Sequence, residues 1–337
     1  MSATEDVGRT GTGAPAMPKP PVFIAGDPIR GLGALLVVGY HVVLAVAVEN
    51  GMAFGEGAFQ VTFGFLGPYA EDSGVLALYA FLILSAYLIA RPFVWAFLLN
   101  RPLPPMLPYL RNRVLRIVPA FWVIFTLILV FYGPKDAGLI DVLSVYGFAQ
   151  NFSFEPEIIR GVIAPGWTVG VEMIFYLCVP IVAAALIWIF ASSRYTTRLG
   201  VVLALGAVVV AVSLTLRELL PQTTQNWRFF WTNAFVFVPG VVFAALELRG
   251  QDALRRRPRL ARKLALALVA AGGVAFYLFV QTDSFGFGVE GGIAALCTAC
   301  LVGAPLVLQW GTGGCWRVLD NRFLSWFGAR SYSIYLM

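Results

Sequence analysis

The chain contains one histidine, His41, and it lies inside an apolar run. Imidazole is the side chain that exchanges a proton most readily near neutral pH, so it can serve as a general base or as a nucleophile. An ionisable group in such a run is costly unless it faces a bundle interior or a water-filled cavity. The structural alternative is a neutral histidine hydrogen-bonded to a neighbouring helix. Arg30 stands eleven residues earlier. At 100° per residue the two lie within about 20° of one helix face and ~16 Å apart along the axis. Arg30 also fits a simple anchor at the membrane surface. Glu172 is the only carboxylate well inside a predicted crossing. Counting from Val162 puts it about 15 Å from its end of the helix. His41 is about 16 Å from the opposite face, so both fall near the middle of a ~30 Å hydrocarbon core. The spacing predicts that imidazole and carboxylate meet and partner one another. A structural glutamate bonded to Trp, Tyr or Ser is the alternative. Arg111, Arg113 and Arg116 form a dense basic cluster. Arg113 and Arg116 share a face if their helix has begun by then. Paired guanidinium forks suit phosphate, although any such cluster also anchors topology.

What must position these residues is set by composition. The chain is 59% hydrophobic and 12% charged, with a mean hydropathy of +0.79, against about 25% charged residues in a soluble domain. The fold class is therefore all-α, a polytopic integral membrane helix bundle. The net charge of +6 does not indicate nucleic acid, because the basic residues sit in short clusters between apolar runs. Nine such runs are predicted, at about 30–48, 74–92, 117–132, 162–190, 199–216, 229–247, 264–280, 292–310 and 324–337. Residues 138–152 are amphiphilic and short, and read as loop. The last run stops at Met337 after about 14 residues, too few to cross ~30 Å at 1.5 Å each. The ninth crossing therefore reads as incomplete and the chain as truncated there.

Residues 1–26, rich in Gly, Pro, Thr and Ser, read as a disordered cytoplasmic tail, with residues 27–337 forming the transmembrane domain. Asp27-Pro28 has the residue types of a helix start. Sixteen of the 24 basic residues fall in alternate loops, and the intervening loops are acidic. The positive-inside rule then places the N-terminus in the cytoplasm, with the chain in a cell membrane. Cys297 and Cys300 form a C-x-x-C inside an apolar run without a neighbouring histidine. They read as small packing residues, and one histidine with scattered cysteines predicts no metal site.

These residues stand in strings that resemble the acyltransferase-3 family of polytopic membrane acyltransferases. Ile29–Leu32 through Tyr40-His41 is similar to the family's arginine, ten residues, then histidine. Tyr79–Ile89 (YAFLILSAYLI) is similar to F-F-x-L-S-G-F-L-I, and Arg113–Pro119 to R-x-x-R-I-x-P. Trp167–Pro180 (WTVGVEMIFYLCVP) resembles W-S-L-x-V-E-x-x-F-Y-L-x-x-P, and Arg330–Leu336 (RSYSIYL) the start of S-Y-S-I-Y-L-x-H. Ala86 replaces a family glycine, where it could tighten a close helix contact, and Thr168-Val169 replaces Ser-Leu.

The resemblance implies an acyl-coenzyme A donor, acetyl-coenzyme A being the expected co-substrate, taken from the cytoplasm without a metal. The implied acceptor is a hydroxyl on a glycan, lipid-linked sugar or polyketide. Under it Arg113 and Arg116 meet donor phosphates, and His41 acts as base or is transiently acylated. Glu172 orients the imidazole, and Arg30 holds the donor or stabilises the oxyanion. Direct transfer and an acyl-enzyme both stay open. The rival class is a proton-coupled transporter or flippase with His41 and Glu172 as relay.

Overall fold

Asp27-Pro28 does open a helix. The first, α1, runs Gly26–Glu49 with Asp27 in its first turn. The computed structural model describes residues 21–50, 57–133, 138–152, 166–221, 223, 226, 228–281 and 286–336. Among these residues every regular element is helical. After α1 come α2 (Ala58–Phe63), α3 (Gly67–Leu98), α4 (Met106–Tyr132), α5 (Leu139–Tyr146), α6 (Gly166–Ile189) and α7 (Tyr195–Leu219). The remainder are α8 (Phe230–Asn233), α9 (Val238–Arg255), α10 (Pro258–Val280), α11 (Phe287–Thr312) and α12 (Arg322–Leu336). Short 3₁₀ turns at Gly64–Leu66, Gln150–Phe152 and Ala234–Phe237 join some of them.

Eight of these segments are long and apolar enough to cross a membrane: α1, α2 with α3, α4, α6, α7, α8 with α9, α10 and α11. The fifteen residues of α12 span only ~22 Å and occupy the ninth predicted run. The protein is an all-α membrane bundle. Its surface is apolar as well as its interior. Val46 on α1, Val123 on α4, Ile181 on α6 and Val208 on α7 are all more than half exposed, which only hydrocarbon solvent tolerates on this scale.

Helices α3, α9 and α11 form the centre, packed on one another and ringed by the rest. Their closest approach depends on small residues. A Cβ on Gly240 of α9 would collide with the Ile83 carbonyl of α3 and with the methyl of Ala86. The extra methyl that Ala86 adds therefore fits because its neighbour has no side chain. Gly31 and Gly328 play the same part between α1 and α12, each lying against the other helix's backbone at Leu324 and Asp27.

Three features depart from the reading of the sequence. Residues 1–20 lie outside the described residues, but residues 21–25 are docked. Phe23 and Ala25 are buried, and Arg91 donates to the Pro21 carbonyl at 3.0 Å. Gln309 donates to the Val22 carbonyl and accepts from the Ile24 amide. The packed domain thus begins before residue 26. Second, part of 138–152 is the helix α5. The Asp141 carboxylate accepts the Gly138 amide at 2.9 Å, capping its start, and Tyr146 packs on Phe125 and Trp122 of α4. Third, Glu172 is not the only carboxylate within a crossing. Glu247 of α9 is buried, and it accepts from Tyr87 at 2.9 Å and from Arg91 at 3.3 Å. The apolar run ends at Glu247, but α9 continues eight residues beyond it, to Arg255.

Arg198 lies within α7 and is fully buried. Its guanidinium donates to the carbonyls of Phe97, Phe190 and Ala191 at 2.6–2.9 Å. These groups lie around the ends of α3 and α6 and have few partners of their own. Arg198→Leu is expected to destabilise the protein by on the order of 3 kcal/mol, since three charge-assisted bonds to backbone carbonyls are lost. Thermal unfolding in detergent measures this, and a melting temperature within a degree of wild type would contradict it.

Candidate active site

One face of α1 points into the bundle. Ala34, Val37 and Leu44 are buried, and Arg30 and His41 on the same stripe are half-buried. This is the periodicity that placed the two ionisable residues together. Arg30 forms a 3.5 Å ion pair with Asp27, one turn earlier.

On α4 the helix has begun well before the arginines, at Met106, so Arg113 and Arg116 stand one turn apart on a formed helix. Arg116 is exposed and Arg113 half-buried. The Nε of Arg113 is buried without a hydrogen-bond partner. Tyr109, one turn below Arg113, packs edge-on against Phe93 of α3 and donates to the Tyr176 carbonyl at 2.9 Å. That bond ties α4 to α6.

The first turn of α6 is held from outside its own helix. Gln150 and Asn151 donate side-chain amides to the Gly166 and Trp167 carbonyls at 2.9 and 2.7 Å. Thr168, Glu172 and Tyr176 then follow at four-residue spacing on one face. Glu172 and the buried Tyr176 share a side-chain hydrogen bond. Glu172 is also within electrostatic reach of Arg30.

These faces converge on one cavity of about 170 Å³. Arg30, Arg113, Arg116 and Glu172 all line it, together with Ser85, Thr168, Tyr176 and Ser331. Three guanidiniums against one carboxylate leave a surplus of positive charge in a partly desolvated pocket, where Coulomb attraction for an anion exceeds its value in water.

His41 is not among the lining residues. Its Nδ1 lies 2.8 Å from the Val37 carbonyl, and its ring sits edge-on to Tyr40. Both contacts are within its own helix. The direct pairing expected with Glu172 therefore does not form. The α1 residue beside Glu172 is Arg30. The Val37 carbonyl can only accept, so Nδ1 carries the proton and Nε2 of the neutral ring holds the lone pair.

A family model described as an acyltransferase domain, that of acyltransferase-3, matches residues 26–337. The chain belongs to the acyltransferase-3 family. No curated protein and no solved structure matches it.

Family membership makes this polytopic chain an acyltransferase, and the cavity unites pieces of all five strings that carried the resemblance. Ser85, Thr168, Tyr176 and Ser331 were not singled out from the sequence, although each lies inside one of those strings. Gln150 and Asn151 carried no signal at all, because their role depends on the fold that puts residue 151 beside the start of α6. Cys297 is a packing residue. Its thiol donates to the Gly272 carbonyl across the α10–α11 contact.

Proposed function

We propose that this acyltransferase moves an acyl group, acetyl being the expected one, from acyl-coenzyme A to a hydroxyl of a carbohydrate or related acceptor. The observation that carries this reading is the gathering of Arg30, Arg113 and Arg116 with a single carboxylate in one small cavity. Its volume suits a phosphate-sized group rather than a whole coenzyme, so the remainder of the donor extends beyond it. The partnerless Nε of Arg113 is a donor of the kind an anion would engage. Because Arg116 is exposed, the donor approaches from the arginine-rich end. The positive-inside rule makes that end cytoplasmic, with the N-terminus on the same side of a bacterial plasma membrane.

His41 lies ~16 Å further along the α1 face than Arg30. A thioester at the far end of the long pantetheine arm is carried toward it when the phosphates are held at the arginines. Nε2 then takes the proton of the acceptor hydroxyl. The oxygen attacks the thioester carbonyl, the C–S bond breaks, and the coenzyme A thiolate recovers the proton from the imidazolium. The ester and free coenzyme A leave. At this separation Arg30 holds the donor and does not touch the oxyanion, and Glu172 positions the guanidiniums with Tyr176 rather than orienting the imidazole.

Glu172→Gln separates the two roles for that carboxylate. A positioning role predicts a KM for acyl-coenzyme A raised about tenfold, the loss of ~1.4 kcal/mol, with the pH profile of kcat unmoved. A shifted profile with unchanged KM would restore Glu172 as the partner of His41. The reading as a whole is tested by coenzyme A release from the purified full chain in lipid nanodiscs. Proton flux dependent on His41 and Glu172, without coenzyme A release, would favour the relay instead.

A further inference from the structure

Helices α6 and α7 are consecutive and joined by a short turn at 190–194, yet they make almost no contact along their lengths. A groove of about 450 Å³ separates them, floored by Phe93 of α3, Phe175 of α6 and Phe237 before α9. Its lining is almost wholly apolar. The one hydroxyl, on Ser213, is already donated to the Trp231 carbonyl at 2.6 Å. Water needs two to four polar partners to occupy a cavity, and this one offers almost none. The rim residues Val182, Val208 and Val212 are 42–57% exposed. The groove is therefore continuous with the lipid-facing surface of the spanning helices. Along α7 it extends from Val202 to Leu216, ~21 Å of helix running through the bilayer. No charged side chain lines it, so what it recognises is a hydrocarbon chain and not a headgroup.

We propose that this groove is a lipid site, occupied by one acyl chain of a bilayer phospholipid that acts as the packing partner α6 lacks on its α7 side. The consequence reaches the polar cavity, because Phe175 of the groove floor stands between Glu172 and Tyr176 on the same helix. The inference does not depend on the identity of the donor or acceptor.

The test uses the full chain in lipid nanodiscs containing a phosphatidylcholine with a diazirine in one acyl chain. After irradiation, label concentrates on α6 and α7 residues of the groove. In Val182→Phe/Val212→Phe, where rings from both walls enter the open space, groove labelling falls about tenfold, as ~1.4 kcal/mol of steric exclusion gives. In detergent-stripped wild type, adding dioleoylphosphatidylcholine slows hydrogen exchange of α6 amides, and in the double variant it does not. Label spread evenly over the lipid-facing sides of α1, α4 and α7 overturns the proposal. So does undiminished groove labelling in the variant. Exclusion of the probe by polyprenyl phosphate, but not by excess phosphatidylcholine, overturns it in favour of a lipid-anchored acceptor. If the double variant does not fold, the wild-type labelling map decides alone.

Discussion

Replacing His41 by alanine is expected to lower acyl transfer by at least about 10³-fold, within the range that a positioned general base contributes. The expectation rests on the ring's geometry. Nδ1 is committed to the Val37 carbonyl, which fixes the tautomer and leaves Nε2 as the basic nitrogen. The cavity that holds the arginines does not include His41, so donor affinity should be unchanged, measured as acyl-coenzyme A binding to the purified variant. The half-buried ring has its one hydrogen bond within α1 itself, so the melting temperature should move little. His41→Gln is the companion variant. It keeps a polar group at the position but cannot take a proton, and should be as inactive as alanine. Residual coenzyme A release near the wild-type rate in both variants would remove His41 from the chemistry. A quenched reaction that traps acyl-His41 in wild type would instead select the covalent route over direct transfer.

The second large effect is expected at α4. Arg113→Ala/Arg116→Ala should raise the KM for acyl-coenzyme A about 100-fold. Each charge-assisted contact to phosphate contributes on the order of 1.5–3 kcal/mol, and each 1.4 kcal/mol is a factor of ten. The effect should fall on KM with kcat largely retained at saturating donor, because the arginines hold the donor equally in ground and transition states. Salt should weaken wild-type binding through the exposed Arg116 more than it weakens binding to the double variant. The lysine pair, Arg113→Lys/Arg116→Lys, should recover only part of the affinity, since an ammonium lacks the planar fork. A double alanine variant with unaltered KM would reduce the cluster to a topology anchor. The placement of both arginines on the cavity wall with Arg30 and Glu172 argues against that outcome.

How much of this was legible in the sequence follows from the range of each interaction. Apolar runs of spanning length are local, and they delivered the bundle and eight crossings among the described residues. Helical periodicity is also local, and it placed Arg30 and His41 on one buried stripe, and Arg113 and Arg116 one turn apart. Family strings then brought the right segments to attention. The family string also marked Ala86 as a place where a close helix contact tightens, although its accommodation depends on Gly240, more than 150 residues away.

Relations between helices were decided only by the tertiary structure. Depth counted along a single helix put Glu172 level with His41. The packing of α6, tied to α4 by the Tyr109 bond to the Tyr176 carbonyl, sets it beside Arg30 instead. Glu247 closes an apolar run in the sequence, and only the packing of α9 on α3 brings Arg91 and Tyr87 to pair it. The groove between α6 and α7 has no signature in sequence, because a gap between helices is a failure of packing and each wall reads as an ordinary apolar face. Periodicity determines which side of a helix is turned inward. Which residues of different helices meet depends on tilt, offset and close approach at small residues, and those arise only when all the helices share one core.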